Sequence, residues 1–281
     1  MSNSSAEIDV LSYFRGKVDR YDEVDQQVYW RLSDTLLWET LSGKSLDSFE
    51  PGFSFLDAGG GTGRWATRVL DSYPQARGWL VDLSEDMLAV AEGKRTGDRA
   101  GRFTTVRGDL EKLPDEITGQ RFDVIFNFHN VIGFLDDPLE ALRGLAALLN
   151  PGGHLITLAP SLYHSTYFNL ANGRFDEAER AVREQRATFT EGMPPLRLFT
   201  PHQLTGMYEE IGCPVEVLTG FPSVIYPTFQ ETQIEGTGQS VEKILGTPEG
   251  FQRVLDIERG LVDAPDVAAR GNNIFVVGRK R

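Results

Sequence analysis

The chain has almost no cysteine. Cys213 stands alone among 281 residues, which excludes a disulfide framework and a thiolate zinc site and fits a reducing, cytoplasmic compartment. Long apolar runs are missing as well: no stretch reaches the roughly 18 residues that span a bilayer. The opening Met1-Ser2-Asn3-Ser4-Ser5-Ala6-Glu7 lacks both the basic start and the apolar core of a secretion signal, so a soluble protein without a membrane partner is expected. Basic residues are scarce, with 28 Lys and Arg against 41 Asp and Glu and a net charge of −13. That balance disfavours the clustered cations through which proteins hold phosphate backbones, and a small-molecule partner is expected rather than nucleic acid. Internal repeats and low-complexity tracts are absent too, which sets aside solenoid and disordered readings.

What is present alternates. Residues Glu7 to Leu41 read as helical, with Val24, Val28, Leu32 and Leu36 along one stripe. Gly43 to Gly52 breaks that pattern before the apolar run Phe53-Ser54-Phe55-Leu56, which reads as a buried strand. A helix over Arg64 to Tyr73 follows, then a strand over Gly78 to Val81 and a helix over Glu85 to Lys94 capped by Ser84. Strands are expected at Phe103 to Arg107 and Phe122 to Phe128. Pro138 to Leu149 is the next helix, capped by Asp137, with Leu139, Leu142, Leu145 and Leu149 on its apolar face; His154 to Leu158 is the fifth strand. Such alternation implies an α/β fold with a parallel sheet covered by helices on both faces. Two insertions interrupt it, about 161–198 and 228–270, and read as helical caps above one sheet edge. A helix capped at Thr200 and a strand near Val215 to Leu218 lie between them, and Asn273 to Val277 is the last strand. The organisation is thus an N-terminal helical segment, 1–52, followed by one domain, 53–281.

The strongest signal is Phe55-Leu56-Asp57-Ala58-Gly59-Gly60-Gly61-Thr62-Gly63-Arg64-Trp65-Ala66, a glycine-rich turn between a strand and a helix. Such a turn needs positive φ and lets a ligand approach bare backbone. On its own it is ambiguous, because Gly61-Thr62-Gly63-Arg64-Trp65-Ala66 also satisfies the G-x-G-x-x-A pattern of dinucleotide enzymes. Asp57 favours a different ligand: a carboxylate at the lip of the turn would repel a pyrophosphate and attract the ammonium and sulfonium groups of S-adenosylmethionine. Asp82, ending the second strand, can accept from ribose hydroxyls; Asp109, after the third, can accept from an adenine amino group, with Leu83, Met87 and Leu110 against the ring.

Taken in order, Asp57-x-Gly59-x-Gly61-x-Gly63, Asp82-Leu83-Ser84-x-x-Met87, Gly108-Asp109-Leu110, Phe122-Asp123-Val124 and Asn150-Pro151-Gly152-Gly153 resemble the class I S-adenosylmethionine-dependent methyltransferases over about Phe53 to Pro160. The resemblance implies a Rossmann-like, seven-stranded, mostly parallel sheet whose last strand is antiparallel. It implies further that the glycine turn holds the amino-acid part of the cofactor, Asp82 the ribose and Asp109 the adenine, and that Tyr21 on the N-terminal segment folds over the methionine portion. Asn127 belongs to the same expected contact set. The end of the fourth strand, Asn127-Phe128-His129-Asn130-Val131-Ile132-Gly133, carries neither paired histidines nor the Pro-Pro-Tyr/Phe signature of enzymes that methylate base amino groups. That leaves methyl transfer to oxygen, nitrogen or activated carbon of a small metabolite, in a biosynthetic role.

Methyl transfer from a sulfonium rests on alignment, and a base is optional. His129 is the candidate general base, its alternative being a histidine satisfied by nearby backbone. Tyr163, His164 and Tyr167, just after the fifth strand, and Tyr13, ahead of the sheet, are the candidate acceptor contacts; ordinary core packing is the competing reading. An NAD-dependent oxidoreductase, a cyclase and a non-catalytic binding module of the same fold stay open, and the helical N-terminus leaves room for a homodimer.

Overall fold

The computed structural model describes residues 4–18, 21–22, 27–189, 192–226 and 241–281. Two helices come first, α1 (Ser4–Arg15) and α2 (Val28–Lys44). The helical segment expected over Glu7 to Leu41 thus falls into two helices: α1 ends just before Gly16, a poor helix former, and Gln27 ahead of α2 has extended backbone. Val24 lies outside the described residues. Leu32, Leu36, Leu37 and Leu41 form the buried stripe of α2.

Strands and helices then alternate as β1 (Ser54–Ala58), α3 (Arg64–Ser72), β2 (Arg77–Asp82), α4 (Glu85–Gly93), β3 (Phe103–Arg107), α5 (Asp115–Thr118), β4 (Phe122–Asn127), α6 (Pro138–Ala147) and β5 (Leu149–Pro160). Capping side chains start the helices where the sequence signals them. Ser84 accepts from the Met87 amide at the head of α4, and Asp137 from the Glu140 amide at the head of α6. Leu149 does not extend α6; it opens β5, opposite Phe122.

The first insertion forms α7 (Leu162–Ala171), α8 (Phe175–Glu184) and a small antiparallel pair, β6 (Arg186–Ala187) with β7 (Leu196–Arg197). After it come α9 (Pro201–Glu210), begun by a Thr200–Gln203 capping box, and β8 (Val215–Phe221). The described part of the second insertion holds α10 (Val241–Leu245) and α11 (Pro248–Leu261), and β9 (Asn273–Arg279) closes the chain.

Seven strands form the main sheet in the order β3-β2-β1-β4-β5-β9-β8. Only β9 runs against its neighbours, as expected. Alternate residues feed two apolar layers. Phe55, Leu80, Phe126 and Ile156 pack under α2 and α3, whereas Leu56, Val81, Ile125 and Leu155 pack under α6 and α9. Leu245 and Leu255 join the α2 layer, so α10 and α11 cover a sheet face instead of capping an edge. Ion pairs Lys44–Asp263 and Glu39–Arg259 tie α11 and the residues after it to α2. No helix among the described residues is long and apolar enough to cross a membrane.

Because β4 returns to lie beside β1 on the side away from β2, the strand order reverses at that pair, opening a crevice at their carboxyl ends.

Glu258 of α11 is buried, and its carboxylate accepts from the Ser223 and Val224 amides and from Ser223 Oγ at 2.8–2.9 Å. Glu258→Gln would turn an amide N–H₂ toward those donors. A loss of about 2–3 kcal/mol in urea unfolding is expected, as for a buried charged acceptor removed from its donors; an unchanged midpoint would refute that role.

Candidate active site

The crevice holds two adjoining cavities. The first lies over the turn after β1 and is floored by Gly59, Gly61, Asp82, Leu83, Ser84, Met87, Asp109 and Leu110. Asp82 is fixed by backbone: its Oδ2 accepts from the Gly61 amide and its Oδ1 from the Ser84 amide, each at 2.8 Å. Burial still raises its pKa, against the help of those amides. Asp109 closes a local turn by accepting from the Glu111 amide at 2.9 Å. Met87 and Leu110 are buried and give the cavity apolar sides. Among the described residues the lining includes four acids, Asp82, Asp109, Glu111 and Asp136, and no Lys or Arg.

Three of the expected contacts lie behind this cavity instead of on it. Asp57 is 2% exposed and faces the underside of the turn. It accepts from the Ala66 amide at 3.2 Å, and a Cβ on Gly60 would come within 2.5 Å of its carboxyl carbon. Gly60, which no pattern singled out, is thus required by close approach. Gly63 takes φ +72° at the head of α3, and a Cβ there would press on Ala91, Leu80 and Phe103. Asn127 is buried between β4 and β5, donating to Thr157 Oγ1 and the Ile156 carbonyl. The acids on the cavity surface are therefore Asp82, Asp109, Glu111 and Asp136, whereas Asp57 faces backbone beneath the turn.

The N-terminal segment roofs the first cavity with Leu11, Phe14 and Tyr21. Phe14 meets Phe134 edge to face at 5.5 Å. Asp22 accepts from Thr62 Oγ1 at 2.7 Å and from Lys94 Nζ at 2.6 Å, pinning the segment to the glycine turn and to the end of α4. Burial, reinforced by the charge of Asp82, pushes the Tyr21 hydroxyl up to about 12.

The second cavity shares Phe14, Tyr21, His129 and Phe134 with the first. Its remaining wall includes Tyr13, Lys17, Trp30, Asp34, Arg64, Asn130, His164 and Asn273. His129 and Asn130, following β4, both adopt left-handed backbone, with φ 54° and 71°. Non-glycine residues rarely do so, and such strain gathers at functional sites. Asn273 Nδ2 donates to Asn130 Oδ1 at 2.8 Å, Asp34 is buried against Arg64, and His129 Nε2 accepts from Trp65 Nε1 at 2.6 Å. Burial lowers the pKa of His129, and brings that of His164 to about 4.

Tyr13 and His164 line this cavity, but Tyr163 and Tyr167 do not. They are 53% and 45% exposed and line a separate groove with Tyr226. Helical geometry explains the difference: His164 and Phe168, one turn apart, face inward, and their predecessors Tyr163 and Tyr167 are rotated by about 100°. Sequence reasoning missed Trp30, Asp34, Arg64, Asn130 and Asn273. The polar pair Asn272-Asn273 before an apolar strand was a usable signal; Asp34, within a leucine-rich helix, was another.

Asp57 gives a titration test. Burial raises its carboxyl to about 8, outweighing the Ala66 hydrogen bond, and the charge of Asp82 adds to the effect. A folded-state pKa above the unfolded one means that the group's contribution is complete at low pH and fades as pH rises through the folded value. Wild type should therefore lose stability relative to Asp57→Asn between about pH 4 and about pH 8. Urea unfolding at several pH values measures this, and parallel curves for the two proteins would disprove it.

Comparison with known proteins adds relatives to this geometry. Residues 56–155 match a family model described as a methyltransferase domain. A malonyl-[acyl-carrier protein] O-methyltransferase from Halalkalibacterium halodurans is 34% identical over 168 residues, covering 58% of this chain and 60% of that protein. A ubiquinone/menaquinone biosynthesis C-methyltransferase from Paracoccus denitrificans is 36% identical over 128 residues, 43% of this chain and 48% of the relative. The chain thus spans less than two thirds of the length of either. Among solved structures, an S-adenosylmethionine-dependent methyltransferase from Mesorhizobium loti superposes with a TM-score of 0.54 at 17% identity, over 92% of this chain and 100% of that one. The family match runs from Leu56 in β1 to Leu155 in β5, and it identifies that stretch, which builds the floor of the first cavity, as similar to a methyltransferase domain.

Proposed function

We propose that the chain transfers a methyl group from S-adenosylmethionine to a small-molecule acceptor, with the cofactor in the acid-lined cavity and the acceptor in the adjoining one. The observation that carries this reading is charge: four carboxylates line the first cavity without a Lys or Arg among the described residues. A ligand with ammonium and sulfonium groups complements that lining, whereas a nicotinamide dinucleotide would bring phosphates against it. Gly61 adds a second support. Its φ is +53°, and a Cβ there would meet nothing nearer than Met87 Sδ at 4.0 Å, so open space stands over bare backbone.

When bound, the cofactor supplies a methyl carbon activated by a positively charged sulfur. Asp82 would accept from the ribose hydroxyls and Asp109 from the adenine amino group, with Leu83, Met87 and Leu110 against the ring. Gly59 and Gly61 would present backbone to the amino-acid portion, and Tyr21 would cover it. Asp57, Gly63 and Asn127 would serve by holding the turn and the strands in place. The acceptor would lie against Tyr13, Trp30, His164 and Asn273, enclosed by the roof that excludes water. The related O- and C-methyltransferases support oxygen or carbon as the methylated atom, and the net charge of −13 supports a metabolite over nucleic acid.

Isothermal calorimetry with S-adenosylmethionine should give one saturable site, weakened at least about tenfold in Asp82→Ala, the equivalent of about 1.4 kcal/mol. Absence of binding to folded wild type would sink the reading. Transfer of labelled methyl groups to a metabolite panel then identifies the acceptor.

A further inference from the structure

His129 sits on the seam between the two cavities, where an acceptor atom would meet the methyl group if the reading above holds. Its ring nitrogens are not equivalent. Trp65 Nε1 is 2.6 Å from His129 Nε2, and an indole nitrogen can only donate. Nε2 must therefore be the unprotonated, accepting nitrogen. A neutral imidazole then carries its proton on Nδ1. The lone pair a base would use is already engaged with Trp65, whose ring is itself fixed edge to face on Phe128 at 5.5 Å.

We propose that Trp65 holds His129 as a hydrogen-bond donor through Nδ1–H, and that the acceptor is one whose nucleophilic atom is already anionic at neutral pH, such as a carboxylate or an acidic enolate. An oxyanion bonds to the methyl carbon as the carbon–sulfur bond breaks, sulfur keeps that electron pair, and no proton needs a place on the protein. The charged and titratable groups around the ring agree with this. Among the described residues, Arg64 from α3 and Lys17 after α1 bring two cations to the second cavity, against the one carboxylate of Asp34 from α2, which Arg64 already holds. Tyr13, Tyr21 and His164 are the other titratable groups on the second cavity's wall, while Asp82, Asp109, Glu111 and Asp136 line the first cavity on the other side of the seam, where they complement a cationic cofactor. The Tyr21 hydroxyl is pushed up to about 12, so it stays protonated, and His164, at about 4, is too weak a base for an alcohol or an ammonium ion. An acceptor needing deprotonation in the second cavity would find no group suited to the task among these described residues of its wall.

The test reads the tautomer directly. The chain has four histidines, so in full-length protein labelled with nitrogen-15 histidine the His129 ring can be assigned by the loss of its signals in His129→Gln. A protonated Nδ1 and a bare Nε2, unchanged from about pH 6 to about pH 8, are expected. Protonated Nε2, or an imidazolium at neutral pH, overturns the proposal. Trp65→Phe should free the ring to populate both tautomers; an unchanged tautomer in that variant removes Trp65 as the cause and overturns the lock. Benzoate is the probe for the anion preference, added with S-adenosylhomocysteine present. It should shift the His129 Nδ1–H signal saturably where benzyl alcohol does not. No response to benzoate, or an equal response to the alcohol, overturns the acceptor class. The tautomer is measured without any ligand, so a failure of S-adenosylmethionine to bind would sink the proposed function and leave the state of His129 decided separately.

Discussion

Two carboxylates on neighbouring parallel strands, Asp57 buried in β1 and Asp82 half-buried at the end of β2, set the terms for everything around them. Among the described residues neither has a cationic partner; amide N–H groups hold them instead, from Ala66 for one and from Gly61 and Ser84 for the other. Backbone can offer its N–H groups to a side chain only where it has no competing partner, which is the situation in a tight turn and in the first turn of a helix. The glycine turn is shaped by that demand. Gly60 must lack a Cβ to pass over Asp57, and Gly61 must turn its amide toward Asp82. Amides only partly offset the cost of taking these acids out of water, so both carboxyls hold their protons more tightly than free ones do.

The lining of the first cavity was legible in the sequence because it is local. Gly59, Gly61, Asp82, Leu83, Met87, Asp109 and Leu110 each follow a strand by a fixed, short distance, and the parallel sheet brings those strand ends together whatever else the chain does. The errors in that half concern depth, not position. Asp57 and Asn127 stand near strand ends and Gly63 at the head of α3, as expected, but one layer below the cavity, a distinction that a string of residue types does not carry.

The second cavity was far less legible, since its wall is drawn from segments more than 250 residues apart, from Tyr13 to Asn273. No motif spans such a distance. Aromatic residues could be noticed in α7, but the face they occupy depends on which side of that helix meets β5 and α8. That is how His164 came inward and Tyr163 and Tyr167 came outward. Leu149 was misread for a related reason: apolar periodicity runs on past the end of α6 into β5, and the sheet, through its pairing with Phe122, decides where helix stops.

Helix α2 belongs to two neighbourhoods at once. Its first half gives Trp30 and Asp34 to the acceptor wall, while its second half is clamped to α11 and the residues after it by Glu39–Arg259 and Lys44–Asp263. Leu245 and Leu255 share one apolar layer with Leu32 and Leu36, so that layer carries two loads: it packs the sheet, and it seats the helix from which Trp30 and Asp34 reach the second cavity. Neither leucine touches either cavity, yet sequence drift at both is constrained by the shape of that wall and, through the Asp34–Arg64 pair, by the head of α3.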